Sequence, residues 1–261
     1  MALKIIYQDN SLLVVDKPPG LVVTPSETQK EVTLAEILQK EHGINLERGG
    51  AVHRLDKDTS GVLLVAKTQQ ALENLQAQFK ERKTKKEYLA LVHGRIEQGG
   101  VIDAAIARNP FKREKFTASL QGVPLEALEA RQAVTEYEPI GNYQLPITKL
   151  QTIFNDFNKI QFRKLSTIHY NLFTFLVVRP KTGRTHQIRV HLKYTGHPIV
   201  ADEKYVGRKM VRLDHRWVHR QFLHAKKIGF YHPVSGEWME VESPLPDDLK
   251  IALTYLKEES S

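Results

Sequence analysis

The 261-residue chain contains no cysteine. Disulfide cross-links and thiolate-bound metals are therefore excluded. It has no apolar run of the roughly 20 residues that a membrane-spanning helix requires. Its first residues, Met1-Ala2-Leu3-Lys4-Ile5-Ile6-Tyr7, lack the layout of a signal peptide, because the apolar part is short and acids follow soon. A cytoplasmic protein with no membrane partner is expected. Neither a phosphate-binding P-loop nor a dinucleotide fingerprint is present. No fixed-period repeat or low-complexity tract occurs. Acid is the scarcer charge: 38 Lys and Arg face 30 Asp and Glu, a formal net charge of +8. What remains, 41% hydrophobic and 26% charged residues, is the profile of a soluble globular protein with enough chain for a sizeable core.

The surplus of cations favours a polyanionic partner, and its clustering points to nucleic acid. Lys80, Arg82, Lys83, Lys85 and Lys86 crowd one stretch; Arg108, Lys112, Arg113 and Lys115 form another. Arg208, Lys209, Arg212, Arg216 and Arg220 form a third, interleaved with His215 and His219. Any one cluster is most simply a solvated face, but three on one chain favour phosphate contact.

Periodicity predicts strands over 3–8 and 11–15, and a turn at Lys17-Pro18-Pro19-Gly20. Helices are expected over Leu34–Glu41, Gln69–Arg82, Thr185–Tyr194 and Asp247–Glu258. Further strands are expected at Val62–Ala66, Glu87–Val92, Val134–Ile140, Leu172–Val178 and Phe222–Tyr231. Residues 142–171 break the apolar pattern and read as an insertion, a hairpin or short helix, between two strands. The mixture gives an α+β fold around one large mixed sheet.

Chemistry concentrates in Val52-His53-Arg54-Leu55-Asp56-Lys57-Asp58-Thr59-Ser60-Gly61, which runs directly into the buried strand at Val62. A carboxylate on a tight turn beside a buried strand is costly unless paired or used. Thr182-Gly183-Arg184-Thr185-His186-Gln187-Ile188-Arg189-Val190-His191 is the second dense stretch, rich in hydrogen-bond donors. His186 and His191 lie five apart with no accompanying acid, so a metal site is not expected. Ser60 lacks the glycines of a hydrolase nucleophile elbow.

Together with Lys17-Pro18-Pro19-Gly20, Lys86/Tyr88/Ala90, His197-Pro198-Ile199, Asp202 with Tyr205, and Leu223-His224-Ala225, these stretches resemble the RluA-type family of RNA pseudouridine synthases. The motifs occur in the family's order from about residue 5 to about residue 245. The resemblance implies the pseudouridine synthase fold, a mainly antiparallel mixed central sheet flanked by helices and loops, with the active-site cleft across it. It implies isomerisation of uridine to pseudouridine in structured RNA, ribosomal (23S-type large-subunit) or transfer. Asp56 is then the catalytic aspartate, Tyr88 the aromatic platform and proton-transfer group, and Arg189 the basic partner of the aspartate. Arg54 is the residue that enters the RNA stack where the target base leaves it, and Leu223 lines the pocket. His53, Thr59, Arg184, His186 and Gln187 complete the expected RNA-binding set.

The isomerisation moves no electrons and no group between molecules, so no cofactor or metal is implied. One catalytic domain over 1–261, without the small S4-like RNA-binding domain of many relatives, and a monomeric state are expected. In the insertion, Phe154, Phe157, Phe162 and Tyr170 mix with Lys149, Lys159, Arg163 and Lys164. A decoration with a small apolar anchor is favoured there over an RNA-facing element. The rival functions are an inactive RNA-binding or ribosome-assembly protein on the same fold and, more weakly, a hydrolase using Ser60 or a metal.

Overall fold

In the computed structural model, which describes residues 3–25, 31–118, 124, 128–158, 161 and 170–259, strands β1 (Lys4–Gln8) and β2 (Leu12–Lys17) form an antiparallel pair. Helix α1 (Leu34–His42), strand β3 (Ser60–Ala66), helix α2 (Gln69–Lys80) and strand β4 (Lys85–His93) follow. Next come β5 (Gly100–Asp103) and the two-residue strands β6 (Ala107–Arg108) and β7 (Phe116–Thr117). Then come β8 (Val134–Gln144), α3 (Ile147–Ile153), β9 (Leu172–Pro180), α4 (Gln187–Tyr194) and α5 (Arg208–Asp214). The chain closes with β10 (Leu223–Tyr231), β11 (Trp238–Glu242), α6 (Asp247–Leu253) and β12 (Lys257–Glu258). The class is α+β, with both parallel and antiparallel strand pairs. Among the described residues, no helix is long and apolar enough to cross a membrane.

The chain forms two compact units, Met1–Tyr88 with His224–Leu245 and Leu89–Leu223 with Pro246–Ser261. In the first, the strand order is β1-β2-β3-β10, with β11 on β10. Strands β2 and β3 are buried on both faces. Leu12, Val14, Val62 and Leu64 pack with Ala71, Leu72 and Leu75 of α2, whereas Leu13, Val15, Leu63 and Val65 pack with Leu34 and Leu38 of α1. Successive strand residues point to opposite faces, so one apolar run serves two cores. Each such side chain contributes about 1.5–3 kcal/mol. Helix α1 starts at a capping box, Thr33 with Glu36, and stops at Gly43 with φ 65°.

The parallel pairing of β3 with β10 brings Ala225 so close that a Cβ on Gly61 (φ +114°) would lie 2.1 Å from the Ala225 carbonyl oxygen. Only glycine fits there. This close approach fixes the start of β3, and with it the end of the Asp56 loop.

In the second unit, β8 pairs antiparallel with β9 along its length, and β5 and β12 pair with β8. Several sequence expectations change here. Strand β8 runs on to Gln144, so 142–144 belong to the sheet, and α3 is the short helix of the insertion. The helix expected over Asp247–Glu258 ends at Leu253, because Lys257 and Glu258 pair with Gln144 and Tyr143 instead. The helix expected from Thr185 begins at Gln187, since His186 takes φ 55°. Arg82, at φ 59°, likewise lies beyond the end of α2.

Candidate active site

The first group of site residues lies in the first unit. The loop 52–59 between two stretches of buried sheet carries Asp56, half-buried, and Arg54, exposed. A turn closes it, with the Thr59 N–H donating to the Asp56 carbonyl at 3.1 Å. Leu55 is buried beside Tyr88 in the α1-side core, which anchors the loop between the two residues that face outward. Tyr88 is on β4. Burial, reinforced by the negative charge of Asp56, pushes its phenol well above its ordinary value. Near neutrality the ring is therefore protonated. It can donate a hydrogen bond or stack against a base, but it is not a phenolate. Lys86 sits two residues away on the same face of the strand, and burial lowers its ammonium to about 8.

A buried lysine from the preceding turn holds this loop. The Lys17 side chain is fully buried, and its ammonium donates to the carbonyls of Pro18 (2.8 Å), Leu21 (2.9 Å) and Lys57 (2.9 Å). The cation in the Lys-Pro-Pro-Gly turn is thus a clamp on the residue after Asp56. Lys17→Met should lower the unfolding free energy by about 2 kcal/mol, because buried carbonyls lose their donor. Denaturant unfolding measures this, and limited proteolysis should show earlier cleavage in 52–59. Thr59 and Ser60 are both buried, and Ser60 Oγ lies 3.0 Å from His224 Nδ1.

His53 behaves differently from the RNA contact expected of it. The Leu64 N–H donates to its Nε2 at 3.1 Å, and its ring stacks on Phe79 of α2 at 5.0 Å. Burial, with the Lys86 charge, pushes it down to about 3. The imidazole is therefore a neutral acceptor that splints the loop. Its folded value lies below the unfolded value of about 6.5, so its contribution to stability is present above pH 6.5 and is lost as the pH falls below it. Each pH unit below that point costs up to about 1.4 kcal/mol. Thermal melts between pH 7.5 and 5 should show the wild type losing stability steadily and His53→Asn with a shallower slope.

The second group lies in the second unit. Arg189, on α4, is 5% exposed and forks onto the fully buried Asp202, with Nε and Nη2 each donating at 2.7 Å to a different carboxylate oxygen. The N–H groups of Lys204 and Tyr205 also donate to Asp202 Oδ1, and the Tyr205 ring lies 5.1 Å from the guanidinium. Asp202 follows Ala201, which is held at φ 59°. That strained residue is kept in place by its own N–H, which donates at 2.8 Å to the buried Asp214 carboxylate. His93 and Tyr170 donate to the same carboxylate, each at 3.0 Å. The arginine is therefore oriented through two successive buried carboxylates. Sequence reasoning placed Asp202 in a motif but missed it as the guanidinium's partner, and nothing in the sequence signals Asp214.

Gln187, also expected at the RNA, is buried. Its amide receives from Thr182 Oγ1 and the Arg184 N–H, and donates to Val134 O and Thr135 Oγ1. It pins the 182–187 loop to β8. Arg184 is half-buried and donates to the Gln132 carbonyl at 3.1 Å. His186 is half-buried, with Nδ1 at 2.8 Å from the Tyr205 hydroxyl. Leu223 is buried at the start of β10.

Two of the three basic clusters also resolve. Arg216 forks onto Asp156 and covers the rings of Phe154 and Phe157. Arg220 is buried on Asp248. These two cations hold the fold together, whereas Arg208, Lys209 and Arg212 on α5 are exposed. In the first cluster, Lys83 pairs with Glu81 at 2.6 Å on the surface. Of the insertion's aromatic and basic residues, Phe154 and Tyr170 are buried, while Lys159, Phe162, Arg163 and Lys164 fall outside the described residues.

Residues 11–194 match the family described as RNA pseudouridylate synthase, and the chain belongs to that family. Along 98% of its length it is 36% identical to an uncharacterized RNA pseudouridine synthase of Bacillus subtilis, covering 74% of that protein. It is 38% identical over a like share to ribosomal large subunit pseudouridine synthase D of Nitrosomonas europaea, covering 65% of that protein. The solved structure of human RNA pseudouridylate synthase domain containing 1 superposes with a TM-score of 0.72 at 26% identity, over 99% of this chain and 89% of that one. The chain is thus an isomerase that converts uridine to pseudouridine in RNA.

Proposed function

We propose that the enzyme modifies the RNA of the large ribosomal subunit, with Asp56 as the residue that carries the chemistry. The observation that supports this most is the 38% identity, over nearly the whole chain, to a relative named for that substrate. The reaction breaks the N1–C1′ bond of uridine, turns the uracil, and forms a C5–C1′ bond. A proton leaves C5, and N1 gains one. The ionised Asp56 carboxylate attacks the sugar, takes a sugar proton, or stabilises the positive charge that develops there. Tyr88, protonated, supplies the ring against which the freed base turns. In this reading Arg189 is the cation that keeps the carboxylate ionised, its own direction fixed by Asp202. Arg54, exposed on the same loop as Asp56, fills the gap left when the target base leaves the helix. The balance of atoms calls for no cofactor or metal. The setting in this reading is the cytoplasm, and the working form is a monomer.

The substrate class is tested by incubating purified protein with unmodified large-subunit ribosomal RNA and, separately, with a transfer RNA pool, then mapping pseudouridine by carbodiimide primer extension. Pseudouridine at discrete ribosomal positions is the expected result. Modification of transfer RNA alone would overturn the substrate assignment. Tight binding of both with no pseudouridine would favour an RNA-binding or ribosome-assembly protein instead.

A further inference from the structure

A groove of ≈ 720 Å³ lies in the second unit, between the β6–β7 hairpin, the C-terminal half of α4 and residues 204–207. Four of its lining residues are lysines, Lys112, Lys115, Lys193 and Lys204, and none is acidic. Among the described residues none of the four makes an ion pair. Such a cluster repels itself unless an anion sits among the ammonium groups. Aromatic rings lie between the charges. Phe111 is 77% exposed and Tyr194 is 53% exposed, while Phe116 and Tyr205 form the wall. Arg108 adds a further cation over the Phe116 ring at 5.4 Å.

The hairpin is built to hold this shape. The Asn109 carboxamide oxygen accepts from the N–H groups of both Phe111 and Lys112 at 2.9 Å. The Asn109 N–H donates to Lys115 O, and the Lys115 N–H to Lys112 O. The tip is thus a closed turn that presents Phe111 and Lys112 together. Its root is tied by the Phe116 N–H donating to the Tyr205 hydroxyl at 3.0 Å. The same Tyr205 stacks under the Arg189 guanidinium. The groove therefore shares a wall with the Arg189–Asp202 pair.

We propose that this groove binds an unpaired segment of the substrate RNA next to the target uridine, with phosphates among the lysines and bases on Phe111 and Tyr194. Alternating anions and flat apolar faces are what single-stranded RNA offers. A duplex hides its base faces, and an acidic peptide has no flat rings to match the exposed aromatics. The inference rests on the RNA-modifying reading above and names the part of the substrate that this surface selects.

The probes are a fluorescein-labelled single-stranded 12-nucleotide RNA of mixed sequence and the same strand annealed to its complement. Binding is read by anisotropy for the wild type, for Phe111→Ala/Tyr194→Ala and for Lys112→Ala/Lys193→Ala. All four substituted side chains are exposed, and thermal melts should confirm unchanged folding. The wild type should prefer the single strand. The aromatic variant should lose that preference and bind the single strand about tenfold or more weakly, through lost stacking. The lysine variant should reduce the slope of log K against log salt by about 1.4, at 0.7 per phosphate contact. On ribosomal RNA, both should raise KM with kcat little changed. Unchanged single-strand affinity and KM in both variants, with the wild type active, would overturn the groove assignment alone. A wild type that isomerises no uridine would instead overturn the reading on which it rests.

Discussion

Asp56→Asn should remove pseudouridine formation while leaving the protein folded and bound to RNA. The side chain is half-buried on a loop that Lys17, Leu55, His53 and the Thr59 turn hold in place. The amide keeps the size but cannot attack the sugar, accept its proton or stabilise positive charge. A fall in kcat of about 10⁴-fold or more is expected, roughly 5.5 kcal/mol of transition-state stabilisation. KM for RNA should move little, because phosphate and base contacts supply most of the binding. Single-turnover assays separate the two. The Tyr88 phenol should ionise more easily in this variant, since the Asp56 charge is one of the two causes that hold it up. Ultraviolet titration of the difference between wild type and variant reads that change.

Asp202→Ala should have the second large effect, on stability as well as rate. It leaves the Arg189 guanidinium, 5% exposed, without its two-oxygen partner. Removing one member of a buried ion pair costs about 3–5 kcal/mol, because the other charge stays buried without that compensation. The N–H groups of Lys204 and Tyr205 lose their acceptor as well. Chemical denaturation should show the loss directly. Asp202→Glu, which keeps the charge but displaces it, should recover part of the stability and less of the rate. If Asp202→Ala were as stable and active as the wild type, the orientation of Arg189 through Asp202 would be wrong.

The strands around Asp56 were legible in the sequence because their apolar runs are short, unbroken and bounded by turn residues. The strand expected from Val62 begins at Ser60 instead, because the close approach of Ala225 to Gly61 that fixes its start is made only in the fold. Two side chains expected at the RNA have local structural roles that the sequence did not signal. His53 and Gln187 carry polar groups in donor-rich motifs, yet each satisfies local backbone groups, at Leu64 and at Val134 with Arg184. Sequence shows that a group can hydrogen-bond, not which way it points. Lys17 was placed in a turn, but its clamping role was not legible, because its three carbonyl partners are brought together only by the fold. The third basic cluster failed for a similar reason: Arg216 and Arg220 find Asp156 and Asp248, which lie 60 and 28 residues away in the chain. The C-terminal helix was overrun because pairing with β8 outweighs the helical periodicity beyond Leu253.

In the proposed reaction Asp56 drives an intramolecular isomerisation. RNA carrying tritium at uridine C5 tests it most directly, because forming the C5–C1′ bond expels that hydrogen. The wild type should release tritium to water in a one-to-one ratio with pseudouridine formed, with no free uracil, and Asp56→Asn should release none above background. Tritium release retained by Asp56→Asn, or free uracil in place of pseudouridine from the wild type, would rule out this role for Asp56.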